Sequence, residues 1–347
     1  MRITQMNGVD LARFEFDYDN TWQAFFLDAD LNVYARYGGR DAASPESRLS
    51  KESLLTTMRE VLDAHDLRQR DPASPAARQA IHPTPEKPLH PNDFPLLRKH
   101  HNGCLHCHQV QEYRLLQSFA DGAFDRKLLF PFPLPENLGI SFLRSHGHQV
   151  EEVAADSPAA KSGIVPGERV LRAGKVPIRS EEDFRWVLHR HRGASELVLE
   201  LQSGETAGAE NAGRKVVIAL PEGWWQGDVS WRKSLRSYPV VWGFLGYSVG
   251  SEERKEARLE ADSLAIKVVS LRGQSGGLAK SLGLAKGDLI VSLAGTSPLL
   301  TLEQFKSEVL RRYAPGDEVC VEILRMGQRL ELRGSFPDWW TSDRSVP

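Results

Sequence analysis

Short apolar runs separated by polar turns dominate the first part of the chain. Trp22–Leu27 is one such run, Asp28-Ala29-Asp30-Leu31-Asn32 is turn-rich, and Val33–Tyr37 is a second run. Together they predict a β-hairpin that ends at Gly38-Gly39. Ser50 is placed to cap a helix, with Glu52 in its first turn. Leu54, Leu55, Met58, Val61 and Leu62 then fall on one stripe at helical spacing, which predicts an amphipathic helix packed through that stripe. A further helix is expected to begin near Cys107 and to run through Val110, Tyr113, Leu116 and Gln117.

The latter part of the chain repeats itself. Gly163-Ile164-Val165-Pro166-Gly167-Glu168-Arg169-Val170-Leu171 finds a counterpart 120 residues later in Gly283-Leu284-Ala285-Lys286-Gly287-Asp288-Leu289-Ile290-Val291. Each copy is followed by an acidic helix start with a phenylalanine, Glu181-Glu182-Asp183-Phe184 and Leu302-Glu303-Gln304-Phe305. Each then ends in an alternating strand, Leu197–Leu201 and Val319–Ile323. The first glycine of each copy is expected to end a short helix with φ > 0, and the second to turn the chain into the next strand with the acid bracing the turn. Ser157-Pro158-Ala159-Ala160 enters the first short helix; Ser275-Gly276-Gly277-Leu278-Ala279 is a looser counterpart.

With 347 residues the chain exceeds one core, so about two to four domains are expected. The boundaries read as 1–68, a proline-rich linker 69–97 (Pro72, Pro75, Pro83, Pro85, Pro88, Pro91, Pro95), a segment 98–136, a repeat copy 137–221, a Trp-rich connector 222–241, a second copy 242–335 and a tail 336–347. A formal net charge of −2 gives no reason to expect nucleic acid or an anionic membrane as partner. No apolar run is long enough to span a bilayer. Three cysteines exclude a disulfide scaffold, and Cys320 reads as a strand residue.

Chemistry concentrates in His101-Asn102-Gly103-Cys104-Leu105-His106-Cys107-His108. Cys-x-x-Cys-His is the spacing that attaches a c-type haem (heme c): the thiols of Cys104 and Cys107 form thioethers and His108 takes the iron. His90, then His82, would be the distal ligand, and Phe119, Phe124, Phe130 and Phe132 could line the porphyrin. Three other readings stay open. Zinc or copper could be held by Cys104 and Cys107 with His101, His106 or His108. The pair could be a redox dithiol at a helix N-terminus, or a structural disulfide or two inert thiols. The start Met1-Arg2-Ile3-Thr4-Gln5 lacks a secretory pattern, whereas haem c is attached outside the cytoplasm. The expectation is a truncated or processed start, or a motif without haem. Otherwise His82, His90, His189 and His191 read as solvated, and no catalytic set of side chains is present.

Two resemblances add to this. Phe25–Asp30 with Val33–Arg40 resembles the second half of a thioredoxin-like fold, without the Cys-x-x-Cys half or the cis-proline before Trp22; as it stands such a domain cannot exchange thiols. The two repeat copies resemble PDZ domains of the bacterial kind found beside periplasmic proteases. That resemblance implies a groove for an extended peptide C-terminus. In the first copy Leu138, Gly139 and Ile140 would form the carboxylate loop, and Phe184, Val187 and Leu188 the helix side. In the second, Leu245-Gly246-Tyr247 would be the loop, with Ser251–Glu256 interrupting the pattern. The cluster Trp224–Arg232 is expected to pack between domains. The overall order resembles exported proteins of planctomycete-type bacteria. The expected fold class is α+β multidomain: a partial thioredoxin-like unit, a short helical Cys-x-x-Cys-His segment and two PDZ-like β-rich domains. The expected function is a periplasmic haem- or metal-binding adaptor whose PDZ domains bind peptide or protein partners. The alternatives are a non-metal PDZ scaffold and a thiol-disulfide oxidoreductase lacking its upstream half.

Overall fold

The computed structural model describes residues 2–100, 103–191, 193–203, 213–235, 242–271 and 277–337. These fall into two compact units. The first is Met1–Arg114 with Asp125–Gly227, and the second is Leu115–Phe124 with Asp228–Pro347.

The first unit opens on the expected hairpin, β1 (Gln23–Leu27) paired antiparallel with β2 (Val33–Gly38). Its turn is built by Asp28, whose carboxylate accepts from the amides of Asp30 (3.0 Å) and Asn32 (2.9 Å). Helix α1 (Lys51–Arg70) starts at Ser50, whose hydroxyl accepts from the Ser53 amide. Only part of the predicted apolar stripe is packed: Val61 packs against Tyr34, Ala64 and Ala80, and Leu54 is half-buried. Leu55, Met58 and Leu62 are 37%, 41% and 61% exposed, while Ser53, Thr57 and Ala64 are buried. The reason is polar complementarity at close range. Ser53 shares a hydrogen bond with the Tyr37 hydroxyl (2.7 Å), and Thr57 donates to the Arg179 carbonyl (2.8 Å). Small side chains let the helix approach, and a leucine face would strand both partners.

The stretch 69–97, expected to be an extended linker, is folded into this unit. It carries α2 (Pro75–Gln79), a 3-10 turn Pro91–Asp93, and the start of α3 (Pro95–His100). Pro75 and Pro95 occupy first helical positions, where a missing N–H costs nothing. Ala77, Ala80, His82, Pro91 and Leu97 are buried, and the His82 amide donates to Val33 O at 2.8 Å. Helix α4 (Cys107–Ala120) follows, starting where the sequence places it.

Beyond residue 136 the first unit holds β3 (Ile140–Phe142) paired with β4 (Val150–Val153), helix α5 (Pro158–Lys161) and helix α6 (Glu181–Arg190). Strands β5 (Arg169–Ala173), β6 (Val176–Pro177), β7 (Ser195–Gln202) and β8 (Arg214–Leu220) form a sheet in the order β6-β5-β7-β8. In the second unit the order is β13-β12-β11-β10-β9, with β9 (Phe244–Ser248), β10 (Ile266–Leu271), β11 (Leu289–Leu293), β12 (Glu318–Arg325) and β13 (Gln328–Ser335). Its helices are α7 (Ser251–Glu256), α8 (Leu278–Leu282) and α9 (Leu302–Arg312).

The repeat extends to atomic detail. Gly163 and Gly283 have φ of 75° and 69°, as the end of a short helix requires. Glu168 accepts from the Val165 amide (3.0 Å) and pairs with Arg214, which also donates to Gly163 O (2.7 Å). Asp288 accepts from the Ala285 amide (2.7 Å) and pairs with Arg325, which donates to Gly283 O (2.9 Å). The same acid, amide and arginine close the same turn twice, with Arg214 on β8 and Arg325 at the end of β12.

Candidate peptide-binding groove and cysteine segment

In the first repeat copy, the 3-10 turn Pro135–Leu138 ends at Gly139 in the left-handed region (φ 81°), and the chain enters β3. A Cβ on Gly139 would lie 2.2 Å from the Ser157 Cβ, so this turn tolerates no other residue. β3 has one strand neighbour, β4, among the described residues, which leaves its other edge beside the start of α6. A cavity of about 190 Å³ lies there. Ser141, Phe142 and Arg144 line one side, Ser180 and Glu181 the α6 end, and Tyr37 and Arg48 the side of the N-terminal hairpin.

Helix α6 is capped by Ser180, which accepts from the Asp183 amide at 3.0 Å. Its residues Glu181–Leu188 are all buried, including the acids. The chain's own N-terminal part covers it. The Arg36 amide donates to Asp183 Oδ1 (2.7 Å), Ser180 Oγ donates to Arg36 O, and the Arg179 amide donates to Asp183 Oδ2 (3.1 Å). Arg185 pairs with Asp17 (2.7 Å) and Glu182 (2.9 Å), and Trp186 Nε1 donates to Glu15 (3.0 Å). The Arg36 guanidinium stacks 4.1 Å above Trp186 and contacts His82 Nδ1. Strand β2 thus ends its hydrogen-bonding edge on the first turn of α6 rather than on another strand.

Burial sets the electrostatics. It pushes Glu181 up to about 7, against the attraction of Arg48, and Asp183 up to about 7, against the Arg36 amide and charge. Burial also lowers Arg36 to about 10. His82 falls well below its ordinary range through burial and the neighbouring Arg36 charge. Arg48 lies among three carboxylates, Asp41 (2.8 Å), Glu136 (2.6 Å) and Glu181 (3.0 Å).

The six expected groove residues, Leu138, Gly139, Ile140, Phe184, Val187 and Leu188, are all buried, and none of them lines the 190 Å³ cavity. Leu138, Ile140, Phe184 and Leu188 are fully buried, Val187 is 4% exposed, and Phe142 packs edge-on against Phe184. Two histidines read as solvated are corrected. His82 is 2% exposed, and His189 stacks on Phe132 at 4.2 Å near Glu15. Their polar letters gave no hint of this, because the partners lie more than 40 residues away in sequence. In the second copy the glycine that matches Gly139 is Gly243 (φ 67°), directly before β9. The expected loop Leu245-Gly246-Tyr247 lies inside β9, where a Cβ on Gly246 would meet Lys267 O at 2.5 Å. Gly246 marks a close strand approach, not a carboxylate loop. Residues 236–241, just upstream, and Ser275-Gly276 lie outside the described residues. Within the Trp-rich stretch, Trp225 packs on Phe130 in the first unit; in the second, the Val229 amide donates to Ser307.

In the cysteine segment Cys104 is exposed and Cys107 half-buried, both as free thiols. Leu105 is buried between them with Met6, Leu11 and Leu97, and its carbonyl accepts from the Met6 amide at 2.7 Å. The rings of His106 and His108 stack 5.9 Å apart. Burial raises the Cys107 thiol, the opposite of what thiolate ligation or a reactive dithiol needs. Among the described residues no group of three or more His, Cys, Asp or Glu side chains is placed to hold a metal, and His101 lies outside them. In the second unit Phe119 and Phe124 stack on each other; in the first, Phe130 packs on Trp225 and Phe132 on His189.

The model of the PDZ domain family matches residues 137–207. This part of the chain is a PDZ domain. The match spans the Gly139 turn, β3 to β7 and helix α6. A curated relative, the probable periplasmic serine endoprotease DegP-like of Pseudomonas savastanoi pv. phaseolicola (strain 1448A / Race 6), is 31% identical over 196 residues. That alignment covers 56% of this chain and 38% of the relative, so the chain spans well under half of that protein's length. Two solved structures align with 40% of the chain each. HtrA-type protease AlgW with tripeptide does so at 18% identity, 48% coverage of its own chain and a TM-score of 0.25. HtrA-type protease AlgW with decapeptide does so at 16%, 44% and 0.23. No helix among the described residues is long and apolar enough to cross a membrane.

Proposed function

We propose that the chain is a periplasmic peptide-binding protein that works through its PDZ domain and needs no metal. A single observation carries this reading: the edge of β3 beside the 190 Å³ cavity, in the part of the chain that the PDZ family model matches. An extended peptide would add to that edge as a strand. Its carboxylate would meet the backbone amides of the Leu138–Ile140 turn, the Gly139 amide exchanging the Glu136 carbonyl, to which it donates at 2.9 Å, for the carboxylate, and Phe184, Val187 and Leu188 would receive its last side chain. Because those residues are covered by the chain's own segments, binding requires the covering segments to yield, which lowers affinity by the fraction of chains that are open. The periplasmic location rests on the DegP-like relative. The second repeat copy is read as a further PDZ-type domain on its matching glycines and its acid–arginine brace.

The test is a library of peptides with free C-termini, screened against the full chain with amidated controls. Micromolar binders that lose affinity in Val187→Glu support the reading. Equal enrichment of amidated peptides would leave the domain a packing module.

A second reading rests on the Cys-x-x-Cys-His spacing with an exposed Cys104 thiol: covalent haem c on Cys104 and Cys107, with His108 as proximal ligand and His90 as distal one.

A further inference from the structure

Residues 39–49 join β2 to the Ser50 cap of α1 without helix or strand of their own, and two arginines tie them to the PDZ domain. Arg144, just after β3, donates from Nε to Leu49 O (3.0 Å) and from Nη2 to Glu46 O (3.2 Å). Arg48 runs the other way, from the segment into the 190 Å³ cavity. Its Nη1 donates to Glu136 Oε1 (2.6 Å) on the turn before Gly139 and to Glu181 Oε1 (3.0 Å) on the first residue of α6. Its Nε donates to Asp41 of its own segment (2.8 Å). One guanidinium thus bridges the turn and the helix that frame the β3 edge.

The cavity wall divides by owner. The segment supplies Asp41 and Arg48, and the PDZ side supplies Glu136, Glu151 and Glu181 against Arg144. The PDZ side alone is therefore acidic, and the chain meets that acidity with a side chain from outside the matched domain. Of the two acids that Arg48 bridges, Glu181 is buried and Glu136 is 37% exposed. In the peptide reading above, on which this inference rests, the covering segment withdraws when a strand adds to β3, and Arg48 leaves with it. Glu136 and Glu181 then lose their shared donor, which is unfavourable for carboxylates that are not fully solvated. A basic side chain on the peptide restores it. A guanidinium suits the position because its fork reaches two carboxylates at once.

We propose that Arg48 holds the place of a basic side chain of the partner: the groove takes free C-terminal peptides that carry an arginine upstream of their last residue. The exchange is one guanidinium for another, so the closed and occupied states keep the same ion pairs with Glu136 and Glu181. A peptide with a neutral side chain at that position strands two carboxylates, and one with an acid adds a third.

At about pH 8, where Glu181 is largely ionised, the full chain is titrated with selected free C-terminal peptides in which arginine, citrulline or glutamate occupies each upstream position in turn. At one position arginine is expected to bind about tenfold tighter than citrulline, its neutral isostere, with glutamate weakest. Glu136→Gln combined with Glu181→Gln should erase that difference. Arg48→Met removes the internal competitor and should tighten the arginine peptide about tenfold. Arg48→Lys, which bridges less well, should tighten it by a smaller factor. Equal binding with arginine and citrulline at every position would overturn the proposal and leave the peptide reading standing. A preference that survives in the double variant, or weaker arginine-peptide binding in both Arg48 variants, would overturn it as well. No binding of any free C-terminal peptide would overturn both.

Discussion

The carboxylate of Asp183, in the first turn of the PDZ helix, accepts the backbone amide of Arg36 on the N-terminal hairpin at 2.7 Å. Its other oxygen accepts the Arg179 amide, so one buried side chain closes the helix start and the edge of a strand 147 residues away. Asp183→Ala removes the acceptor for two amides and leaves Arg36 without its nearest charge. A loss of about 3–5 kcal/mol is expected in urea unfolding of the first unit. Asp183→Asn keeps one acceptor and should cost less. A loss under about 1 kcal/mol for Asp183→Ala would show that the hairpin is held by other contacts.

Stability should depend on pH in the direction set by buried acids. Glu181 rises from an ordinary 4.5 to about 7 on folding, and Asp183 from 3.8 to about 7. A raised carboxyl holds its proton in the folded chain while the unfolded chain has released it. The stabilisation is therefore full below about pH 4 and is lost as pH rises through 7. Unfolding midpoints measured from pH 5 to 8 should fall, and Glu181→Gln should flatten the slope. A slope unchanged in that variant would assign the proton uptake elsewhere.

The two turn braces predict matched behaviour in separate units. Asp288→Ala leaves the Ala285 amide and Arg325 without their acceptor, and Glu168→Ala does the same to Val165 and Arg214. Each should cost about 1–3 kcal/mol. Hydrogen exchange should accelerate in the mutated unit alone, and the effects should add. Acceleration of both units by either variant would mean that the turns are coupled.

Much of this architecture is legible in the residues. The hairpin, the Ser50 cap, the start of α4 at Cys107 and the glycine repeat all follow from local letters, because turns, caps and left-handed positions are chosen by nearest neighbours. What is not legible depends on distant partners. Of the predicted stripe, Leu54 and Val61 are half-buried while Leu55, Met58 and Leu62 are exposed, and the helix packs through Ser53 and Thr57 as well, since Tyr37 and Arg179 supply hydrogen bonds that no local pattern announces. His82 and Arg36 bury together for the same reason. Prolines at 69–97 read as a linker because their number is visible and their helix-starting positions are not. In the second copy, Leu245-Gly246-Tyr247 matches Leu138-Gly139-Ile140 by its letters, while Gly243, whose left-handed φ marks the true equivalent, sits beside a tryptophan rather than a leucine.

For the cysteine pair, export of the chain together with a cytochrome maturation system distinguishes the readings. Covalent haem gives a stain that survives denaturation and disappears in Cys104→Ala, Cys107→Ala. Colourless protein with no bound zinc or copper leaves two thiols, and Cys104, being exposed, should then react with alkylating reagents well before the half-buried Cys107.

The PDZ reading is tested most directly at the backbone of β3. Amide resonances of the full chain are followed while a peptide selected for its free C-terminus is added, and then its amidated form. Pairing with that edge once the covering segments yield predicts large shifts at Gly139, Ile140 and Ser141, smaller ones at Val187 and Leu188, and none with the amide. Shifts confined to other elements, or equal shifts with both peptides, would contradict peptide binding in this groove.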